Sequence, residues 1–480
     1  VALLNIAQND KSQLSFINTK LTASSYGMVF DGVSGVYTFK NAILDMQGSK
    51  KGLTIKAVID GSFSFDNSTI TGKPKTSLIT LASNSVPVLF NDMSLDQKGT
   101  GETLSIAAGD TTKFSVTGSL SITAKGGGGI LFNNVGGTYD FSGANINMVG
   151  VTNGLNILNT SNGIFKFDTT TIKGNYSKAV IAMNKSPMAI NFNSGSVTQS
   201  GNGAILFVNK DTNSEITFTN TVMTATSGTG LSFDSVSGRY NFSGVTVNMN
   251  GSESAVTINN STSLASISFD NTKISGRTDN ALINLSANAV AINISGGTIT
   301  QSGTGGAIKV GPSSIQQLIF AGGKTTTINA PNGYGVLFNG AGGIYDFTGA
   351  SLRGSTKGSF IDFTASNTMT INKGSFTQNG SGPLLSASND SGAAIIFTGT
   401  ALMATSGQGL YFDDTHGSYD FSDSGNNISL TNTTSGLSIT DSSGVFNFAN
   451  FKIDKVKGNY VYTNNNTAKI NFLGGLKTQN

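Results

Sequence analysis

The sequence has no cysteine and no tryptophan, only six prolines, three glutamates and a single histidine, and charged residues make up 11% of it. Each shortage excludes something. Without cysteine there is no disulfide framework and no thiolate metal site. A net charge of +3 over 480 residues, with no basic block, gives nucleic-acid binding no footing. No run of eighteen apolar residues occurs, so no membrane-spanning helix is expected. Glu102, Glu215 and Glu253 stand far apart, which argues against the paired carboxylates of a glycosidase. Scarce proline leaves nearly every backbone N–H able to donate, as long strand ladders require.

What remains is rich in Gly (61 residues), Ser, Thr and Asn, with 30 Phe. A disordered chain would be poorer in large apolar residues. The apolar residues recur instead. The pattern Gly-apolar-x-Phe-Asp/Asn-x-x-x-Gly-x-Tyr-x-Phe occurs five times, around Tyr37, Tyr139, Tyr240, Tyr345 and Tyr419, at spacings of 102, 101, 105 and 74. A Thr-Gln-Ser/Asn-Gly block follows each tyrosine by 60 or 61 residues at Gln199, Gln301 and Gln479. Gln97 fits the same offset, whereas Gln378 lies only 33 residues after Tyr345. One sub-repeat is missing there, so one sub-repeat is one physical unit. Higher repeats therefore start near residues 27, 129, 230, 335 and 409, and the copy at 335 lacks one unit.

Nineteen such units of about 25 residues are counted by an anchor position. The anchors include Phe39, Phe65, Phe90, Phe114, Phe141, Phe167, Phe192, Phe218, Phe242, Phe269, Phe320, Phe347, Phe397, Phe421, Phe448 and Phe472, which are expected to form a structural core ladder. The residue two before each anchor is apolar except at Thr112. Apolar residues at i and i+2 mean a strand with one face inward. Each unit thus reads as three short strands separated by turn residues, a rung that buries its apolar face only by stacking on its neighbours. The expected fold is all-β: a single-stranded parallel β-solenoid, or β-helix, continuous over residues 1–480. Nineteen rungs at about 4.8 Å each would make a rod of roughly 90 Å. Both termini match the interior of a repeat, so the chain reads as a window of a longer one. A β-propeller needs blades of about 40–50 residues, and a leucine-rich repeat needs its Leu/Asn motif. Neither is present.

Candidate chemistry is thin. His416 occupies a variable corner of the tyrosine motif, where other copies carry Ser34, Gly136, Ser237 or Gly342, and reads as an exposed corner residue without a catalytic partner. Asp66, Asp168 and Asp270 follow their anchors and are expected to accept turn amides; stacked neighbours such as Lys40, Asn91, Ser142 and Asn193 bring no second carboxylate. Asp140 is expected to stack between Lys113 and Lys166 as a surface charge ladder. Gly126–Gly129 lacks the Lys-Ser/Thr ending of a phosphate loop. The Thr run at 325–327 is not extended into a regular ice-binding array. No catalytic, cofactor-binding or metal-binding residue is expected, and no enzyme.

The Phe-anchored rung of about 25 residues, the Gly/Asn/Ser/Thr-rich outward columns and the absence of cysteine together resemble the β-helical passenger regions of bacterial type V secreted proteins, the autotransporter and filamentous-haemagglutinin-like adhesins. The resemblance spans the chain but carries no signature residue. It implies an extracellular, cell-surface stalk or adhesin with a role in virulence. Its partners would be a host or neighbouring-cell receptor or glycan, possible copies of itself, and an outer-membrane transporter outside this window. Two alternatives stay open: a glycan-binding or glycan-cleaving β-helix such as a phage tail spike, and a subunit of an extracellular filament or sheath.

Overall fold

The structure, a computed structural model, describes residues 2–8, 10–47, 50–107, 109–160, 162–251, 253–287, 290–312, 317–320 and 323–479. Among these residues there is no helix, and the strands pair in parallel. The chain divides into two compact units, residues 1–232 with 238–240 and residues 233–237 with 241–480. Each is a β-solenoid.

A representative rung of the first unit consists of the strands Leu53–Lys56, Asp60–Asp66 and Thr69–Gly72, lying on three faces here called a, b and c. The next rung opens at Ile79, so each strand meets its own counterpart after the chain has crossed the other two faces. That return path makes every pairing parallel. On face a, Leu53 pairs with Ile79, and the register continues through Leu104, Ile130, Leu155, Ile181 and Leu206. In the second unit the same face runs from Val256 through Ile283, Ile308, Val336, Ile361, Leu385, Leu410 and Leu437 to Val461. In some rungs, such as Pro87–Gln97 and Ala291–Gln301, one strand runs round the corner from face b to face c.

Alternation sets the core. Phe39 and Phe65 are fully buried, and their rings stack 4.7 Å apart with planes 3° apart. Phe167–Phe192 and Phe192–Phe218 continue this geometry at 4.1 and 4.6 Å. Phe397–Phe421 and Phe421–Phe448 do so in the second unit at 4.2 and 5.3 Å. The strand spacing of about 4.8 Å is close to the preferred separation of offset-stacked rings, so a phenylalanine column costs the ladder no distortion. Phe141, Phe242, Phe269, Phe320 and Phe347 are buried too, while Phe472, in the last rung, is half-buried.

The tyrosine motif is a three-ring cluster. Tyr37, Tyr139, Tyr345 and Tyr419 each meet a face-a phenylalanine edge-on at 4.8–4.9 Å, namely Phe30, Phe132, Phe338 and Phe412. Tyr37 and Tyr139 also stack on the next rung, on Phe63 and Phe165. The seven-residue spacing from Phe to Tyr carries the chain round one corner so that both rings point inward.

Two expectations change. Phe114 does not stand at the anchor level: Phe90 pairs with Val116, and Phe114 pairs with Val88 and Tyr139. Its ring still reaches Phe90 at 5.1 Å and Phe141 at 5.8 Å from the adjacent column. The anomalous Thr112 two places earlier marked this shift. As a result Asp140 lies between Ser115 and Lys166, not beside Lys113, and Lys113 pairs with Thr138. The corners draw on more than glycine. The left-handed corner residue is often Asn, as at Asn18, Asn41 and Asn67, whose φ values are 53°, 50° and 44°. Asn tolerates this region better than most side chains. Many glycines serve close approach instead: a Cβ on Gly52 would lie 1.9 Å from the Leu78 carbonyl oxygen.

Candidate functional surface

The corners hold most of the buried polar chemistry. Immediately after each left-handed residue closing face a comes an inward position. It is apolar at Val33, Val58 and Val135, and polar at Asn84, Asp110, Thr160, Ser186 and Asp211. The polar members replace backbone pairing that the corner interrupts. Asn84 donates to the Ile55 carbonyl at 3.0 Å and accepts the Val58 N–H at 3.0 Å. Asp110 accepts the Asn84 amide at 3.0 Å and the Thr112 N–H at 2.9 Å. Tyr240 donates to Asp211 and Tyr419 to Asp390, both at 2.6 Å. Burial pushes the Asp110 and Asp211 carboxyls above the usual carboxylate range, against the hydrogen bonds they accept.

At the corner between faces c and a, the glutamines of the Thr-Gln-Ser/Asn-Gly block form clamps. Gln97, Gln199, Gln301 and Gln378 are completely buried. Gln199 accepts the N–H groups of Tyr176 and Gly201 at 3.2 and 2.9 Å and donates to the carbonyls of Tyr176 and Ala204 at 3.0 and 3.4 Å. One amide thereby ties two rungs. Gln378 keeps the arrangement on Thr356 and Gly380, despite the missing unit upstream. Periodicity marked these glutamines, but nothing in their residue type announced burial. The side chain of Gln479 lies outside the described residues.

The aspartates exchange their expected roles. Asp66 pairs with Lys40 at 3.6 Å and accepts the Asn91 side-chain amide at 2.6 Å, and Asp270 meets Lys324 at 2.6 Å. Turn amides are accepted instead by the aspartate before the anchor: Asp140 from Ser142, Asp346 from Thr348 and Asp420 from Ser422, at 2.9–3.0 Å. That residue leaves the strand just ahead of the turn, so its carboxylate reaches the amide two places on.

His416 lies on an exposed corner but does have neighbours. Its Nδ1 is 2.8 Å from Ser443 Oγ, one rung on, and its Nε2 is 3.3 Å from Asp414 Oδ1. The spacing of 27 residues between His416 and Ser443 hid this contact from a reading of local motifs. All three groups are open to solvent or at the rim of the corner. Among the described residues no group of three His, Cys, Asp or Glu side chains is placed to hold a metal ion. Nor is there among them any helix long and apolar enough to cross a membrane, which says nothing of β-barrels.

The outward columns of face a in the first unit mix large apolar residues with small polar ones. One column reads Leu131, Asn156, Ala182, Phe207 and the next Asn133, Leu158, Asn184, Asn209. Ala182 leaves a gap between larger neighbours. The result is a depression of about 460 Å³ lined by Asn153, Asn156, Leu158, Lys178, Ala182, Met183, Asn184 and Phe207. Phe207 is 36% exposed. Comparison of the chain with protein-family models, with curated proteins and with solved structures gave no significant match.

Proposed function

We propose that the chain is the non-catalytic shaft of a bacterial surface adhesin, displayed outside the cell and carried there by an outer-membrane transporter. The observation that supports this reading most is the in-register parallel stacking within each unit, with phenylalanine columns inside and Ser, Thr and Asn outside. Such a stack is stiff, because each rung is bonded to the next along its strands, and its exposed surface repeats with the rung. The resemblance to type V passenger regions is a second support and supplies the location and the export route. A surface of small hydroxyl and amide groups with few charges suits contact with a receptor or glycan on an opposing cell.

Three measurements test the proposal. Negative-stain images of the purified chain should show elongated particles, and compact globules would overturn it. Beads coated with the chain should adhere to cells that uncoated beads do not bind. For the non-catalytic part, Asp414, His416 and Ser443 are the group to challenge. A fluorophosphonate probe should leave Ser443 unlabelled; stoichiometric labelling lost in His416→Ala would replace the shaft reading with a hydrolase.

A further inference from the structure

Face a of the first unit carries one built depression that the repeat does not require. At Ala182 the side chain is too short, and the gap is framed by Asn156 before it and Phe207 after it in the same column. Leu158 and Asn184 flank it in the next column, and Asn153 and Lys178 close it at the corner. At about 460 Å³ it falls within the range of small-molecule sites, about 300–1,000 Å³.

The lining has a mixed character. Its apolar lining comes from Leu158, Ala182 and Met183, and Phe207 forms one wall. The remaining wall offers three side-chain amides and one ammonium group, and no carboxylate lines it. Asn184 Oδ1 is shielded from solvent yet has no hydrogen-bond partner in the protein, and the same is true of Asn209 Oδ1 one rung on. A shielded acceptor without a donor costs about 1–3 kcal/mol, so turning the Asn184 side chain to present Oδ1 to a ligand O–H or N–H in the depression would recover that cost.

We propose that this depression binds one pyranose ring of a glycan. The chemistry of such a ring matches the lining group for group. Its apolar C–H face packs on an aromatic side chain, here Phe207. Its hydroxyls both donate and accept, so one can donate to Asn184 Oδ1 while others accept from Asn156 and Asn153. Lys178, the single charged side chain in the lining, favours a ring that carries a carboxylate over a neutral one. A purely apolar ligand would leave Asn184 unsatisfied, and a peptide strand would find no free edge, because face a is paired on both sides here. The inference gives the adhesive reading a ligand class and rests on it for biological context, but sugar binding is measured on the protein alone.

The test uses the whole chain and a set of methyl pyranosides: glucose, galactose, mannose, N-acetylglucosamine and glucuronate. Saturation-transfer NMR and calorimetry should show saturable binding of at least one probe, with transfer strongest to ring protons. Phe207→Ser should weaken that binding by about tenfold or more, about 1.4 kcal/mol, whereas Phe207→Tyr should stay within about threefold. Asn184→Leu should also weaken it, and Lys178→Gln should weaken glucuronate selectively. Phe207 points outward, so its variants should retain the wild-type melting temperature; Asn184→Leu and Lys178→Gln provide independent readouts. Absence of saturable binding for all five probes overturns the proposal, as does binding that Phe207→Ser and Asn184→Leu both leave unchanged. If cell adherence persists while every sugar fails, the shaft reading stands and the sugar site falls.

Discussion

At the scale of the residue, the molecule depends on buried polar groups in unexpected places. Gln199 satisfies two N–H groups and two carbonyls from inside the stack. Gln199→Ala should therefore cost about 3 kcal/mol or more, because several shielded backbone groups lose their partner together. Chemical denaturation would measure it, and a loss below about 1 kcal/mol would mean that water takes over the clamp. The corner aspartates give a pH signature. Unfolded aspartate titrates near 3.9, and burial holds the Asp110 and Asp211 carboxyls above that. Their contribution to stability is thus fully present below about pH 3.9 and lost as pH rises through the higher folded values. Denaturant midpoints should rise as the pH is lowered from neutral towards about 3.9. Asp110→Val, which installs the residue found at this level as Val58 and Val135, should flatten that slope. Little of this was legible in the sequence. Glutamine and aspartate are usually exposed, and only the fixed offset from the tyrosine hinted that Gln97, Gln199 and Gln301 share a role.

At the scale of the element, the unit is the rung. The strand pattern was readable because inward residues at i and i+2 recur at a nearly constant spacing, and stacking turns that spacing directly into register. Reading failed where the spacing misled. In the rung of Phe114 the sequence offers phenylalanine at one level and valine two places later, and pairing chose Val116 for the anchor level. The depression on face a was illegible for a related reason. It arises from Asn156, Ala182 and Phe207, which are 26 and 25 residues apart and become neighbours only once register is known. Excising residues 153–178 should preserve cooperative folding, since Asn153 and Ala179 occupy equivalent places in successive rungs. Excising thirteen residues from the same point should abolish it, because face-a residues would then be carried onto face b. Circular dichroism melts of the two deletions decide the matter; a thirteen-residue deletion that still melts cooperatively would refute rung integrity.

At the scale of the molecule, electrostatics contribute little. The Lys–Asp pairs seen among the described residues, Lys40–Asp66, Lys56–Asp31, Lys98–Asp96 and Lys324–Asp270, are all at least partly exposed. Pairs of this kind are worth about 0–1 kcal/mol each. The melting temperature should therefore move by only a few degrees between about 20 and 500 mM sodium chloride. A large fall with salt would show that charge, not the aromatic interior, holds the rungs together. The outward columns of Ser, Thr and Asn fit this economy, since like charges one strand apart would repel.

The direction of the backbone bonds has a mechanical meaning. In a solenoid they run along the stack, so tension applied between its ends loads one inter-rung seam after another instead of shearing many at once. Peeling one rung releases about 25 residues, a contour of roughly 80–90 Å, in place of a rise of about 4.8 Å. The buried glutamines pin some of these seams more firmly than others. A chain built this way yields stepwise under load, lengthening nearly twentyfold per rung surrendered, and absorbs a sudden pull that a single brittle joint would not survive.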